Sequence, residues 1–238
     1  MHGLTSFFWH GDTLRSRGVS HAVLSGTVDL PAVSARLLAE WDSEITHRLS
    51  LEPGDVEALP LARSRLRGRW PDYPRCVEAV VDWTHRMGLP DVLASSDIAL
   101  MACRGAKYHH DAAQYGDAAF CNLFLTEDKA LDLHFPMAGL RIPLVRGTIV
   151  LFDTGQPHAV IPRGSNDFNG VDFPLGQDDS QVFLTWELAI ENSHVSRALQ
   201  IAFDTDSIAA ARLTEPQVLL NGVPISVCTA SGRWCTAQ

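Results

Sequence analysis

Two short segments hold the residues best suited to chemistry: Lys107-Tyr108-His109-His110-Asp111 and Gly155-Gln156-Pro157-His158-Ala159-Val160. Together they offer two histidines and one carboxylate. In an extended strand, residues two apart face the same way, so His109 and Asp111 are expected to aim at one ion while His110 points away. A second strand carrying His158 would complete a facial triad. That donor set suits iron(II), because three protein ligands cap one face of an octahedron and leave the remaining positions open. A β-bulge would exchange the roles of His109 and His110. His134, within Leu131-Asp132-Leu133-His134-Phe135, reads as a core or pocket-lining residue rather than a ligand.

The elements that must position these groups can be read from periodicity. From residue 97 onward, short apolar runs at 98–103, 118–125, 130–135, 141–144, 148–152 and 181–188 are separated by Gly116-Asp117, Glu127-Asp128, Gly139, Gly147 and Gly155. Strands of this length and spacing predict a jelly roll or barrel. The first hundred residues are mixed. Val33, Leu37, Leu38, Trp41, Ile45 and Leu49 recur at helical spacing, predicting a helix over 31–49 with Pro31 in its first turn. A second helix is predicted over 74–87, with Val77, Val80, Val81 and Thr84 on one side and Gly88 as its stop. Both are expected to brace one face of the barrel. After residue 188 the pattern predicts a helix near 194–201 and a hairpin at Asn221-Gly222. The loop 163–179, rich in Gly, Asn and Asp, has the length of a mobile lid or a disordered insertion.

The combination His109-x-Asp111, Ile149-Val150-Leu151-Phe152-Asp153 and His158-Ala159-Val160 resembles the core of the iron(II)/2-oxoglutarate dioxygenases. Gly105-x-x-Tyr108 before the first histidine and the Gly147-Thr148 turn into an apolar strand add to the likeness, which covers residues 97–188. The resemblance implies a mainly β fold with flanking helices, a cupin-like double-stranded β-helix. It implies His109, Asp111 and His158 as the metal ligands, Fe(II) and 2-oxoglutarate as cofactors, and decarboxylation of the oxo acid to succinate coupled to substrate oxidation. Hydroxylation is the default outcome. Halogenating relatives lack the carboxylate ligand, so Asp111 argues against halogenation. One feature departs from the family. Many relatives carry a basic residue near the start of the last core strand to hold the far carboxylate of 2-oxoglutarate, whereas Ser180-Gln181 stands here and no arginine lies between Asp167 and Ile190. A buried carboxylate without a partner is costly. Arg163 is the first replacement expected and Arg141 the second, with Arg146 and Lys107 behind them; otherwise 2-oxoglutarate is not the cosubstrate.

Arg63-Ser64-Arg65-Leu66-Arg67-Gly68-Arg69 places four arginines at alternate positions, which a strand would present on one face. Such a strip is either a solvated edge that discourages strand pairing or a clamp for a substrate carboxylate or phosphate, with Arg65 and Arg67 foremost. The 238 residues, 46% hydrophobic and 20% charged, suit one globular domain. It is read as support over 1–96, jelly-roll core over 97–188 and an extension over 189–238. A formal net charge of −9 disfavours non-specific nucleic-acid binding, which needs a basic surface. The five cysteines lack C-x-x-C pairing, the start shows no signal-peptide pattern, and no run has membrane-spanning length. Reduced thiols and a cytoplasmic location are expected. The partners expected are a small-molecule substrate, an amino acid or another anionic metabolite, and O2, with no nucleic acid and no membrane; a homodimer stays open. Two alternatives remain: an iron oxygenase that does without 2-oxoglutarate, and a non-catalytic cupin-like metal-binding protein.

Overall fold

The computed structural model describes residues 3–60, 69–174 and 177–236. The first strands are β1 (Leu4–His10), β2 (Thr13–Gly18), β3 (Val23–Thr27) and β4 (Val56–Leu59), with helix α1 (Ala35–Ser43) between the last two and α2 (Tyr73–Arg86) following. The predicted strand region then becomes β5 (Asp97–Cys103), β6 (Ala106–His109), β7 (Ala118–Phe124), β8 (Leu131–Phe135), β9 (Leu140–Pro143), β10 (Thr148–Asp153), β11 (His158–Pro162) and β12 (Gln181–Ala189). A short helix, α3 (Ala112–Tyr115), interrupts it, and β13 (Gln217–Leu220), β14 (Val223–Val227) and β15 (Trp234–Thr236) close the chain.

Among the described residues every strand pairing is antiparallel, and the strand orders are diagnostic. A major sheet runs β3-β10-β7-β12-β5-β4, and a minor sheet runs β6-β11-β8-β9. Along the chain β5, β7, β10 and β12 enter the major sheet, while β6, the β8–β9 hairpin and β11 enter the minor one. That alternation is a double-stranded β-helix, so the fold expected from the sequence is the fold of the chain. A third sheet, β15-β14-β13-β1-β2, joins the two ends of the chain.

The major sheet is buried on both faces. Outward, Leu100, Leu123, Leu184 and Trp186 pack with Leu37, Trp41, Val80 and Trp83 of the two helices; inward, Phe124, Phe152 and Phe183 meet Leu133, Phe135, Ile142 and Val160 of the minor sheet. Each such side chain contributes roughly 1.5–3 kcal/mol by leaving water. The first helix begins at Ala35 rather than residue 31, because the Ser34 side chain accepts from Leu37 N and caps it there. Its last part is a π-helical segment, Glu44–Leu49. Asn221 and Gly222 take φ of 52° and 81°, the left-handed pair that a two-residue hairpin turn needs.

The loop 163–179 is pinned over its described residues. Tyr108 Oη donates to Asn166 O at 3.1 Å, Phe168 N donates to Ala230 O at 3.1 Å, and Arg104 Nε meets Asp179 Oδ1 at 3.0 Å. Phe173 is buried against Gly105, where an added Cβ would lie 2.3 Å from its ring.

The N-terminal hairpin reaches the barrel through one buried ion pair. Arg17 and Asp153 are both fully buried; the guanidinium donates to Asp153 Oδ1 and Oδ2 at 2.8 Å each and to Gly116 O at 2.8 Å. Asp153 also accepts from Ser20 N at 2.7 Å and Gly155 N at 2.8 Å. Removing one partner strands a charge in the interior, so Arg17→Met and Asp153→Asn should each lower stability by on the order of 3–5 kcal/mol. Urea unfolding of the purified variants measures this. A loss below about 1 kcal/mol, the range of exposed pairs, would remove the pair from its structural role.

Candidate metal centre

Strand β11 brings His158 directly opposite His109 at the end of β6. Their rings lie 4.4 Å apart between centroids. Asp111 completes the group: its Oδ1 is 3.5 Å from His109 Nε2 and its Oδ2 is 3.5 Å from His158 Nε2. One donor atom from each of the three residues lies within 4.8 Å of the others.

Convergence comes by a route other than strand parity. Strand β6 ends at His109, and Asp111 has left the strand, with φ −105° and ψ 6° at the start of α3. The turn is held by Asp111 N donating to Thr154 O at 2.8 Å, while the single proton of Thr154 Oγ1 is shared between Tyr115 O at 2.6 Å and Ala118 O at 2.9 Å. The Asp153–Gly155 bend next to Arg17 thereby positions His158 and Asp111 together. His110 turns aside, its ring 5.4 Å from Trp234 and its Nδ1 accepting from Ala112 N.

The tautomers follow from the partners. His109 Nδ1 lies 2.6 Å from Lys107 O and His158 Nδ1 lies 2.9 Å from Gln156 O. A carbonyl only accepts, so each Nδ1 carries the proton and each Nε2 presents a lone pair to the centre. Burial, followed by the neighbouring His109, holds His158 well below the usual histidine range, so it is neutral near pH 7. Burial pushes the Asp111 carboxyl up, with His109 and His110 opposing the shift. A divalent cation bound there would favour the carboxylate. This donor set, with both Nε2 atoms bare, fits Fe(II). Phe152, 4.8 Å from the His158 ring, and Phe135, 6.0 Å from it, wall the inner side.

The other residues singled out from the sequence lie elsewhere. Arg163 is ion-paired to Asp128 at 2.9 Å and Asp132 at 3.0 Å on the surface. Arg141 alternates with the inward Leu140 and Ile142, so it faces outward, and its guanidinium bonds Ser165 O and Asn166 Oδ1. Neither enters the barrel, which corrects the expectation that one of them anchors the oxo acid. Arg146 pairs with Glu127 at 3.0 Å, and Lys107 is exposed beside Gly54. Lys107 shares no regular parity with His109, because the pairing slips between His158 and Val160. His134 Nδ1 meets Tyr108 Oη on the outer side of the minor sheet. Arg65 and Arg67 fall outside the described residues. The five cysteines are unpaired. Among the described residues, no helix is long and apolar enough to cross a membrane.

His158 ties the site to pH. Its folded pKa is depressed, so below its unfolded value of about 6.5 the unfolded chain binds the extra proton and stability falls. The slope from this group is at most about 1.4 kcal/mol per pH unit. Asp111 acts oppositely, because the folded carboxyl takes its proton at a higher pH than the unfolded one. The loss that His158 contributes between pH 7 and pH 5 should therefore be missing from His158→Gln, which in metal-free form should lose less stability over that range than the wild type. Equal losses in urea melts of the two proteins would contradict a buried neutral His158.

No family model and no curated protein matches the chain. Solved structures similar to it include a Pseudomonas putida prolyl-4-hydroxylase, at 18% identity over 71% of this chain and 93% of the other, with a TM-score of 0.41. A viral collagen prolyl hydroxylase from Paramecium Bursaria Chlorella virus-1, in a 2OG complex, is 8% identical over 70% of this chain and 94% of the other, with a TM-score of 0.43. EvdO2 from Micromonospora carbonacea var. aurantiaca, complexed with 2-oxoglutarate, is 15% identical over 71% and 94%, with a TM-score of 0.41. At TM-scores below 0.5 these likenesses are weak, and it is the strand order of the chain itself that identifies the double-stranded β-helix.

Proposed function

We propose that the whole chain works as one non-heme iron(II) oxygenase domain that uses 2-oxoglutarate and hydroxylates a small molecule, with His109, Asp111 and His158 as the iron ligands. The observation that carries this reading is the convergence of two bare Nε2 atoms and one carboxylate at the end of a double-stranded β-helix. When bound, the iron would supply activation of O2 and oxidation of an unactivated C–H bond, coupled to decarboxylation of the oxo acid to succinate. The chain supplies geometry and charge. The carbonyls of Lys107 and Gln156 hold both imidazoles in the ligating tautomer, and Asp111 offsets part of the ion's charge. Phe135 and Phe152 keep water from the inner side.

For the oxo acid, the described strand residues facing the barrel interior include no Lys or Arg. Asn122 and Thr185 stand opposite each other on β7 and β12, both 7% exposed and on the inner face. Their Nδ2–H and Oγ1–H groups are the neutral donors available to its far carboxylate. The same lack of a cation favours a second reading, an iron oxygenase that draws its electrons from the substrate.

Anaerobic titration with Fe(II), followed by visible absorbance, separates these readings. Wild-type protein should develop the charge-transfer band of a chelated oxo acid only when 2-oxoglutarate is present, and should release succinate on exposure to air with substrate. Iron binding without that band supports the second reading; iron binding with neither band nor O2 uptake leaves a non-catalytic metal protein. Asp111→Ala should weaken iron binding by at least about 100-fold and abolish turnover, and unchanged turnover would rule out the centre. Because Arg163 and Arg141 are occupied on the surface, their Met variants should keep the wild-type dependence on 2-oxoglutarate.

A further inference from the structure

The inner face of the major sheet carries more than an aromatic wall. On β12, Val182, Leu184, Trp186 and Leu188 pack outward against the helices, so Phe183, Thr185 and Glu187 point inward. Glu187 stands opposite Asp97 of β5 and Phe120 of β7. Phe120 stands opposite Phe152, whose ring adjoins His158. One row of side chains therefore runs across the sheet from the triad to Glu187. Beside it, the Tyr115 ring lies 5.0 Å from Phe120 at 64°. Tyr115, Phe120 and Glu187 are all part-exposed, so the row ends where the barrel opens to solvent rather than in its core.

Among the described residues, the charges that act on Glu187 are of one sign. Burial, then Asp97 and Asp117, push Glu187 up, and among the described residues none of these three carboxylates has an ion-pair partner. Glu187 and Asp111 both act on the Tyr115 phenol, after burial, so the acidic groups and the triad share one neighbourhood. An independent observation lies one inward step deeper on β7. Asn122 is 93% buried by its 7% exposure, and its Oδ1 has no partner. A buried acceptor without a donor is unfavourable, and an N–H from a ligand would satisfy it.

We propose that this opening binds the substrate through a cationic nitrogen group, an alkylammonium or a guanidinium, held against the Tyr115 and Phe120 rings and by the Glu187 carboxylate, beside the triad. The proposal rests on the oxygenase reading for its catalytic meaning. Aromatic faces attract cations, a carboxylate strengthens hydrogen bonds from charged donors, and an anionic substrate would meet uncompensated like charge. This reading departs from the anionic substrate expected from the arginine strip, whose Arg65 and Arg67 lie outside the described residues.

Proton NMR of small probes tests this without turnover. Tetramethylammonium and methylguanidinium should show saturation transfer from the full-length protein, while acetate and tert-butanol should not. Glu187→Gln should weaken both cations about tenfold, and Phe120→Leu should weaken tetramethylammonium by a similar factor. Both variants should still bind Mn(II). With Mn(II) bound, the probe signals should broaden, and Asp111→Ala should abolish that broadening while leaving saturation transfer intact. Probe binding that depends on Glu187 but shows no Mn(II) broadening upholds the cation site and counts against the metal centre. Preference for acetate, or cation binding that is indifferent to both Glu187→Gln and Phe120→Leu, overturns the proposal.

Discussion

Arg17 and Asp153 face each other with no exposure to solvent, and the arrangement of the candidate metal centre depends on that contact. Taking two charges out of water is justified energetically only when nearly every donor and acceptor is satisfied. Here Asp153 accepts four hydrogen bonds, and Arg17 also donates to Gly116 O. The satisfied cluster joins three separate pieces of chain: the N-terminal hairpin, the end of α3 and the bend before β11. Two of those pieces carry Asp111 and His158. The third sheet, built from both ends of the chain, thus fastens onto the barrel at the point where His109, Asp111 and His158 converge.

The barrel sets the rest of the geometry. A sheet buried on both faces needs apolar residues at consecutive positions, and β10 and β12 show this, with Ile149, Val150, Leu151 and Phe152 all enclosed. Polar residues on the inner face are therefore exceptions. Asn122, Thr185 and Glu187 form a polar strip within it, leading from the floor of the barrel to its opening. Thr126 and Gln181, bonded to each other deeper in, show how such groups are settled when no ligand is needed.

Much of the barrel was legible in the sequence, because its strands are apolar runs cut off by glycine turns; the predicted runs differ from the strands by about one residue at each end. The strands before residue 60 were not legible. Thr13-Leu14-Arg15-Ser16-Arg17 has the composition of a surface loop; its ladder partner β1 is adjacent, but the carboxylates that settle its arginines, Asp204 and Asp153, lie far along the chain. Asp111 meets the histidines by leaving the strand, which alternation alone does not foresee. Nearness in sequence misled for Arg163: five residues along an extended strand span about 16 Å, enough to carry it away from His158. The inward register of β12 was hidden for another reason. Both of its faces are largely apolar, so the pattern did not say whether Trp186 or Glu187 faced the barrel interior.

Charge connects the triad to the opening. On the proposed reading, a divalent ion with one carboxylate ligand and a dianionic oxo acid leaves a net negative charge in a low-dielectric space, where such charges interact strongly. Many of the dioxygenases that the sequence resembles carry a basic residue for this, and no described strand residue facing the barrel interior does so here. Glu187 adds to the excess, with Asp97 and Asp117 beside it. A cationic substrate would supply the missing positive charge from outside the chain. Its binding would then be strongest when ion and oxo acid are both in place, so substrate recognition and cosubstrate retention become the same electrostatic event. By linkage, the oxo acid would be held more tightly in the presence of the substrate, by the same factor that it strengthens substrate binding.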